Sequence, residues 1–259
     1  MLGLGSGSQP TTECGIFGSY QCLELDGNSD YVTLPAGFMA AFNPSSGTIS
    51  CWVDIRSNDG ATSQNIIRIG NDSSNNNISL MYHKGNTEWR AVYRSNGTYK
   101  EATYNDASLS HDDYMVQGWL HFVMTWYSDG AGTGYVKLYK DGVLLEEVSQ
   151  TANWDGNHNI DVAVIGSNDD LGGSFVDGFI DQLAIWTEPL NVNAVTAIYN
   201  LGTPNDLTTT HSRSAELSYS DVFGTLIGYY QFEGNALDSS SYGFHGTLGG
   251  TAGFNSTQP

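Results

Sequence analysis

The sequence predicts an all-β fold, a sandwich or barrel of strands accompanied by one short helix. Short runs rich in Val, Ile, Tyr, Trp and Phe recur along the chain, and clusters of Gly, Asn, Asp and Ser separate them. This pattern is typical of strands joined by tight turns, and many short strands at close spacing indicate a sandwich or a barrel. The runs span residues 23–25, 31–34, 48–55, 65–70, 78–82, 89–93, 99–103, 119–127, 135–139, 143–148, 162–166, 179–186 and 226–232.

Two local signals are clear enough to predict individual elements. Asp141-Gly142 separates two strand-like runs within residues 135–145, and Asp-Gly supplies the positive φ angles that a tight primed hairpin turn needs. Asn191 can cap a helix that Gly202 and Pro204 would end. The apolar residues at helical spacing between them are Val192, Val195, Ile198 and Tyr199.

Composition limits the classes of partner. The 259 residues are 39% hydrophobic, so one large domain can bury a core without disulfides. The chain has 9 Lys and Arg against 28 Asp and Glu, a net charge of -19. That charge argues against nucleic acid and anionic membranes as partners. It suits a protein that works outside a cell or on a particle, although acidity is equally explained as a solubility device.

The cysteines and the two chain ends give weaker signals. Cys14, Cys22 and Cys51 make an odd count; Cys14 and Cys22 could pair, but three free thiols are favoured, with Cys51 a buried apolar residue. No stretch approaches the roughly 20 apolar residues of a membrane helix. Residues 1–8 lack the features of a signal peptide. Residues 1–19 are predicted to be a flexible or docking arm, and residues 249–259 a loose tail.

Several phrases in a fixed order carry a family resemblance. Leu-Glu-Leu-Asp-Gly-Asn-Ser-Asp-Tyr-Val at 23–32 precedes Gly-Thr-Ile-Ser-Cys-Trp-Val at 47–53. Trp-Leu-His-Phe-Val-Met-Thr-Trp at 119–126 precedes the hairpin, and Phe-Ile-Asp-Gln-Leu-Ala-Ile-Trp at 179–186 precedes the helix. Together, over roughly residues 21–199, they resemble laminin G-like and concanavalin A-like modules. The resemblance implies a two-sheet antiparallel jelly-roll sandwich.

One phrase is out of the family's usual order. Members commonly begin with a phrase like Tyr-Tyr-Gln-Phe-Glu-Gly, which here lies at 229–234, followed by Asp-Ser-Ser at 238–240 and His-Gly-Thr-Leu at 245–248. Either the C-terminal strand near 226–232 closes a permuted jelly roll spanning 20–248, which is favoured because sandwich termini lie close together, or a second partial module starts there. This order, with the Gly-rich start, resembles modules in structural proteins of marine bacteriophages.

No catalytic constellation is present, so the chain is predicted not to be an enzyme. Glucanases of the same fold carry Glu-x-Asp-x-x-Glu, in which the two glutamates act as nucleophile and acid/base. The matching stretch starts at Glu24 and Asp26 but has Ser29 at its third position, and serine cannot replace the proton donor. The histidines and cysteines lack zinc-site spacing, and no nucleophile elbow or phosphate-binding loop stands out.

The resemblance implies a calcium ion as the one candidate cofactor. Many relatives hold Ca²⁺ with loop carboxylates and backbone carbonyls, as this hard cation requires. The candidate ligands are Asp26, Asp30, Asp181 and Asp238. The alternative is that each aspartate caps a turn through its own backbone.

Sugar binding is the other common use of the family. Sugars stack on exposed aromatic faces beside polar groups. The candidates, which lie in polar, Asn-rich or Gly-rich surroundings, are Trp89, Tyr93, Tyr99, Tyr104 and Trp154. For Trp89 and Trp154, half-buried packing is an equally open interpretation. The remaining tryptophans, predicted to be core residues, are Trp52, Trp119, Trp126 and Trp186.

The leading functional hypothesis is a non-catalytic virion surface protein of a bacteriophage, a decoration or tail- and fibre-associated component. Its partners would be other virion proteins or further copies of itself, together with surface glycans. The alternatives are a secreted or cell-surface carbohydrate-binding or adhesion domain and a divergent glycoside hydrolase.

Overall fold

The computed structural model describes residues 21–56, 62–71, 76–95, 98–151, 154, 160–168, 171–202, 206–207 and 226–255. The predicted arm at 1–19 lies outside these ranges. The strands, in chain order, are β1 (Cys22–Asp26), β2 (Tyr31–Thr33), β3 (Ser46–Ile55), β4 (Ser63–Gly70), β5 (Asn77–His83), β6 (Glu88–Ser95), β7 (Thr98–Tyr104), β8 (Leu120–Ser128), β9 (Gly134–Lys140), β10 (Val143–Ser149), β11 (Val162–Ile165), β12 (Asp177–Trp186), β13 (Leu226–Tyr230), β14 (Thr247–Gly249) and β15 (Gly253–Asn255). The helices are α1 (Ala36–Ala41), α2 (His111–Met115) and α3 (Val192–Tyr199), with short 3₁₀ turns at Lys84–Asn86 and Asn200–Gly202.

The described strands form two antiparallel sheets, which confirms the predicted jelly-roll sandwich. Sheet A has the order β10-β9-β8-β3-β12-β1-β15, with β13 also paired to β12. Sheet B has the order β14-β2-β11-β4-β5-β6-β7. Seven of the thirteen neighbouring pairs among these strands are not consecutive in sequence, as expected of a chain that crosses repeatedly between two layers.

The core lies between the two sheets because alternate residues of each strand point inward. Trp126 on β8 and Trp89 on β6 are among its largest fully buried side chains, and Trp89 stacks on Phe122 with ring centroids 3.9 Å apart. Trp126 Nε1 donates a hydrogen bond to the Pro44 carbonyl, so its one polar group is satisfied. Trp119, predicted to lie in the core, is half-buried and packs instead against Phe179.

The predicted hairpin and helix are both present. Asp141 and Gly142 join β9 to β10 with φ angles of 50° and 79°, both positive as a type I′ turn requires. The Asn191 side chain accepts a hydrogen bond from Ala194 N and so caps α3. Helices α1 and α2 were not predicted, because elements of 6 and 5 residues are too short to show a helical period.

Helix α3 covers part of the outer face of sheet A. Ala194, Val195 and Ile198 pack with Trp186 and Tyr229 in a second buried cluster on that face. Tyr199, the last residue of α3, stacks on His121 at a centroid distance of 5.8 Å. The outer face of sheet B carries no helix in the part of the chain that the structure describes.

His121 links sheet A to α3 from a fully buried position. Its Nε2 lies 2.8 Å from Ser50 Oγ, and its ring is 4.9 Å from that of Trp52. No described residue hydrogen-bonds to Nδ1. Burial lowers the pKa of His121 to about 3, so the imidazole is neutral and acts as a packing group.

The C-terminal strands complete both sheets. β13 pairs with β12 at Leu183–Trp186, and β14 pairs with β2. β15 pairs with β1, so residues 253–255 form a strand within the stretch 249–259, where the sequence predicted a loose tail. The stretch lacks the apolar pattern of a strand because it is rich in glycine. It pairs through its backbone with the hydrogen-bonding groups at the edge of β1. Asp30 Oδ1 accepts from Thr251 N and Oγ and holds the connection between β14 and β15.

Asp238 ties the C-terminal loop to β13. One carboxylate oxygen accepts from Tyr229 N and Ser240 N, both at 2.8 Å. The other accepts from Phe244 N at 2.7 Å and from Ser240 Oγ at 2.8 Å. The carboxylate is buried, so these four bonds replace its hydration.

The cysteines differ from the favoured expectation. Cys22 is in a disulfide, so the prediction of three free thiols is wrong, and Cys14 lies outside the described residues. Cys51 is a free, fully buried thiol, and burial raises its pKa. No helix among the described residues is long and apolar enough to cross a membrane.

We expect His121 to make stability fall as the pH drops below 6.5. The unfolded chain takes up a proton near pH 6.5 while the folded imidazole, with its pKa of about 3, stays neutral. Stability is therefore complete above pH 6.5 and decreases by about 2 kcal/mol between pH 7 and pH 5. Urea unfolding at the two pH values measures this. His121→Gln should lose most of the dependence, and an unchanged dependence would show that another group is responsible.

Asp238→Ala should destabilise the fold by about 3 kcal/mol, because buried donors would lose their acceptor. Asp26 is the matched control, since it also accepts from three backbone groups, Asn28 N, Ser29 N and Asp30 N, but in an exposed turn where water can replace it. Asp26→Ala should cost only about 1 kcal/mol. Urea unfolding compares the two variants, and equal losses would contradict the role assigned to Asp238.

Candidate functional site

The outer face of β4–β7 is the surface on which we place the candidate site. In β6, Trp89, Ala91 and Tyr93 belong to the core, so Arg90, Val92 and Arg94 point away from it. The same alternation turns Arg68 of β4, Ser79 and Met81 of β5, and Tyr99 and Glu101 of β7 outward. We call this surface the open face, and it consists of the outward residues of β4–β7.

Tyr99 is the exposed aromatic residue of the open face, with 45% of its surface accessible. Its Oη donates to Glu101 Oε2 at 2.6 Å. Glu101 also lies 3.4 Å from the Arg90 guanidinium, which pairs with Glu88 as well. The ring is therefore held in one orientation by its neighbours, which reduces the entropy that a ligand would have to remove on stacking against it.

The charge of β4–β7 is opposite to that of the chain as a whole. These four strands contain Arg68, Arg90, Arg94 and Lys100 but only two acidic residues, Glu88 and Glu101. These strands thus contain four of the nine basic residues of the chain but only two of its 28 acidic residues. Lys100 shares the parity of Ala102 and so points away from the open face. The open face therefore carries three arginines against the two glutamates, a small positive excess on a strongly acidic protein.

Three of the five predicted glycan-binding aromatic residues are buried. Trp89, Tyr93 and Trp154 are 1%, 0% and 1% exposed, and Tyr93 packs edge-on against Trp154 at 6.2 Å. Burial raises the pKa of Tyr93 to about 12. The prediction is wrong for these three as stacking surfaces. The polar residues next to Trp89 and Tyr93 lie on the opposite face of β6, and Trp154 packs against Tyr93.

Tyr99 and Tyr104 lie on the same strand, β7, but differ in how far their rings are buried. Tyr104 is half-buried at the core edge, its Oη donates to Asp106 at 3.3 Å, and Lys140 Nζ lies 5.9 Å from its ring centroid. Of the five candidates, Tyr99 alone presents a largely exposed ring. Sequence analysis missed Arg68, Arg90 and Arg94. Arg90 and Arg94 alternate with the apolar Trp89 and Tyr93 in β6, and this period-two pattern could have identified them as outward-facing.

The four predicted calcium ligands do not form one site. Asp26 and Asp30 share a turn, while Asp181 is buried at a bulge of β12 with Oδ1 accepting from Gln182 N. Asp238 is fully engaged with the C-terminal loop. Within the described ranges, no group of three or more His, Cys, Asp or Glu side chains could hold a metal ion. The arrangement fits the turn-capping alternative, and calcium binding stays a prediction.

The Asp26 turn illustrates this capping. Burial alone would raise the pKa of Asp26, but hydrogen bonds from Ser29, Asn28 and Asp30 lower it overall. Asp30 Oδ2 accepts from Asp26 N, so the two carboxylates stabilise one turn together. Their oxygens face backbone donors, which a cation would have to displace.

A cleft of about 230 Å³ lies on sheet A and is lined by Glu24, Arg56, Asp177, Phe179 and Asn255. Arg56 covers the Phe179 ring at 4.3 Å and pairs with Asp54. Glu24 is exposed and accepts from Asn255 Nδ2.

Comparison with known proteins agrees with the fold. A family model described as the concanavalin A-like lectin/glucanases superfamily matches residues 26–196. No curated protein sequence matches this chain significantly. Among solved structures, a Bacteroides ovatus ATCC 8483 protein provisionally assigned as carbohydrate-binding has a TM-score of 0.60 at 15% identity. The match covers 93% of this chain and 61% of that protein.

Two sialidase-derived structures are similar as well. The CBM40 domain of the Ruminococcus gnavus IT-sialidase has a TM-score of 0.51 at 14% identity, covering 69% of this chain and 97% of that domain. A variant of the NanB sialidase from Streptococcus pneumoniae has a TM-score of 0.53 at 18% identity, covering 75% of this chain and 30% of that one. Such identities establish a shared fold alone. By its two sheets and the family match over 26–196, the chain belongs to the concanavalin A-like lectin/glucanase superfamily.

Proposed function

We propose that this chain is a non-catalytic carbohydrate-binding domain and that the open face of sheet B is its binding surface. The observation that carries the proposal is Tyr99, an exposed ring fixed by Glu101 and flanked by Arg90. Sugar rings stack on such faces while neighbouring polar groups bind their hydroxyls. Support also comes from the neighbours that are described as carbohydrate-binding modules.

The two outer faces differ in a way that favours sheet B. Helix α3 and Tyr229 cover the middle of sheet A, whereas no described helix lies across β4–β7. A flat or gently curved sheet face can accommodate an extended oligosaccharide along the strands. In the cleft on sheet A, Arg56 covers the aromatic ring of Phe179.

The finer hypothesis, a virion surface component, rests on the order of the sequence phrases and on the acidic composition. Light scattering of the purified protein, with and without Ca²⁺, tests it. A particle component is expected to form a defined trimer or larger assembly. A monomer under both conditions would contradict the virion hypothesis and leave the secreted or cell-surface module in its place.

Tyr99→Ala should weaken glycan binding tenfold or more, because the stacking surface is removed. Glycan-array screening identifies a bound oligosaccharide, and isothermal titration with that oligosaccharide compares the variants. Tyr99→Phe should retain most of the affinity, since the ring remains and only the bond to Glu101 is lost.

The matched control is Tyr242→Ala, which removes an equally exposed ring, 49% accessible, from the C-terminal loop. It should leave affinity unchanged. Binding that survives Tyr99→Ala but is lost in Tyr242→Ala would place the site elsewhere. The absence of binding to any glycan would refute the proposal, and reducing-sugar release from the bound glycan would favour the hydrolase alternative.

A further inference from the structure

Arg94 is a cation that pairs with no carboxylate among the described residues of this acidic protein. The guanidinium of Arg90 pairs with Glu88 and Glu101, that of Arg56 with Asp54, and Lys137 with Glu147. Arg94 forms no such pair with any residue that the structure describes, and its buried Nε has no hydrogen-bond partner there. The chain has 28 acidic residues, yet none of the described ones forms an ion pair with Arg94.

A second polar group on the open face is also unsatisfied. Ser79 lies on β5, directly between Arg68 of β4 and Val92 of β6 in the strand register. The residue is 1% exposed, and no described group hydrogen-bonds to its Oγ. A buried hydroxyl without a partner costs about 1–3 kcal/mol, so Ser79 marks a polar position beneath the surface of the open face.

The register places these groups close together. Arg94 is paired with Asn77 and Tyr99, and Arg90 with Met81 and Thr103, on either side of the row that contains Ser79. Strand spacing and rise put the α-carbons of Arg68 about 12 Å from those of Arg90 and Arg94. In the strand register the three arginines therefore lie around Ser79, and Tyr99 is the β7 partner of Arg94.

From this arrangement we infer that the ligand is an anionic glycan, whose carboxylate or sulfate group is bound by Arg94 while a neighbouring sugar ring stacks on Tyr99. The inference rests on the proposed function and names its ligand class. A guanidinium fork binds planar or tetrahedral oxyanions through two parallel hydrogen bonds. Arg90 is already neutralised by Glu88 and Glu101, so Arg94 is the arginine available for the anion.

The negative charge of the rest of the protein limits where an anionic ligand can bind. A net charge of -19 repels anionic ligands from most of the surface. An anionic glycan would therefore bind where β4–β7 reverse the charge and not elsewhere. Neutral sugars would still stack on Tyr99 but would leave Arg94 without an anionic partner, so we expect them to bind more weakly.

The test uses pairs of glycans that differ only in charge. Isothermal titration compares galacturonic acid oligomers with their methyl esters, 3′-sialyllactose with lactose, and lactose 3′-sulfate with lactose. We expect the charged member of at least one pair to bind tenfold more tightly, with an affinity that decreases as salt is raised. The first two pairs report a carboxylate as the recognised group, and the third reports a sulfate.

Arg94→Gln should abolish this preference, so that the charged member of a pair binds no more tightly than its neutral counterpart, and Arg94→Lys should restore part of it. Arg56→Gln is the matched control, an arginine on the other sheet, and should have no effect; thermal unfolding verifies that each variant folds. Equal binding of charged and neutral glycans that still depends on Tyr99 would overturn this inference but uphold the proposed function. No binding of any glycan would overturn both.

Discussion

Strand β12 has to be hydrogen-bonded along both of its edges, and the rest of the sandwich depends on how the chain meets this requirement. Nine of its ten residues are buried, so unpaired backbone groups there would carry a large cost. β3 pairs with one edge, while the other is shared by β1 at Leu23–Asp26 and by β13 at Leu226–Tyr230. β13, which lies about 40 residues after β12 in the sequence, thus completes the centre of sheet A.

This division of β12 explains the surrounding features. A bulge at Gln182, whose φ is 49°, lies where β1 ends and β13 begins. Asp238 holds β13 in register through its four hydrogen bonds, and β14 and β15 then extend to the edges of β2 and β1. α3 packs over β12 and Tyr229, which occupies the outer face of sheet A. On the outer face of sheet B, no helix of the described residues takes the place that α3 has on sheet A, and Tyr99 remains 45% exposed there.

Local signals in the sequence predicted the elements that are determined locally. The Asp141-Gly142 turn, the Asn191 cap and the strand runs are encoded by a few adjacent residues. The edge pairing of β15 could not be predicted because it depends on residues about 230 positions apart in sequence. The candidate site was half predicted: Tyr99 was identified, but Trp89 and Tyr93 were placed on the wrong face. The error was one of parity, since the polar residues around them are the outward half of the same strand.

The central claim is that glycans bind on the open face of sheet B. Titrating an isotope-labelled sample with a bound oligosaccharide, and following backbone amide shifts by NMR, tests this most directly. The account predicts that the largest shifts fall on β6 and β7, around Arg94 and Tyr99, and that β1 and β12 change little. Shifts concentrated around Glu24, Arg56 and Asp177 would instead place the ligand in the cleft of sheet A and contradict the account.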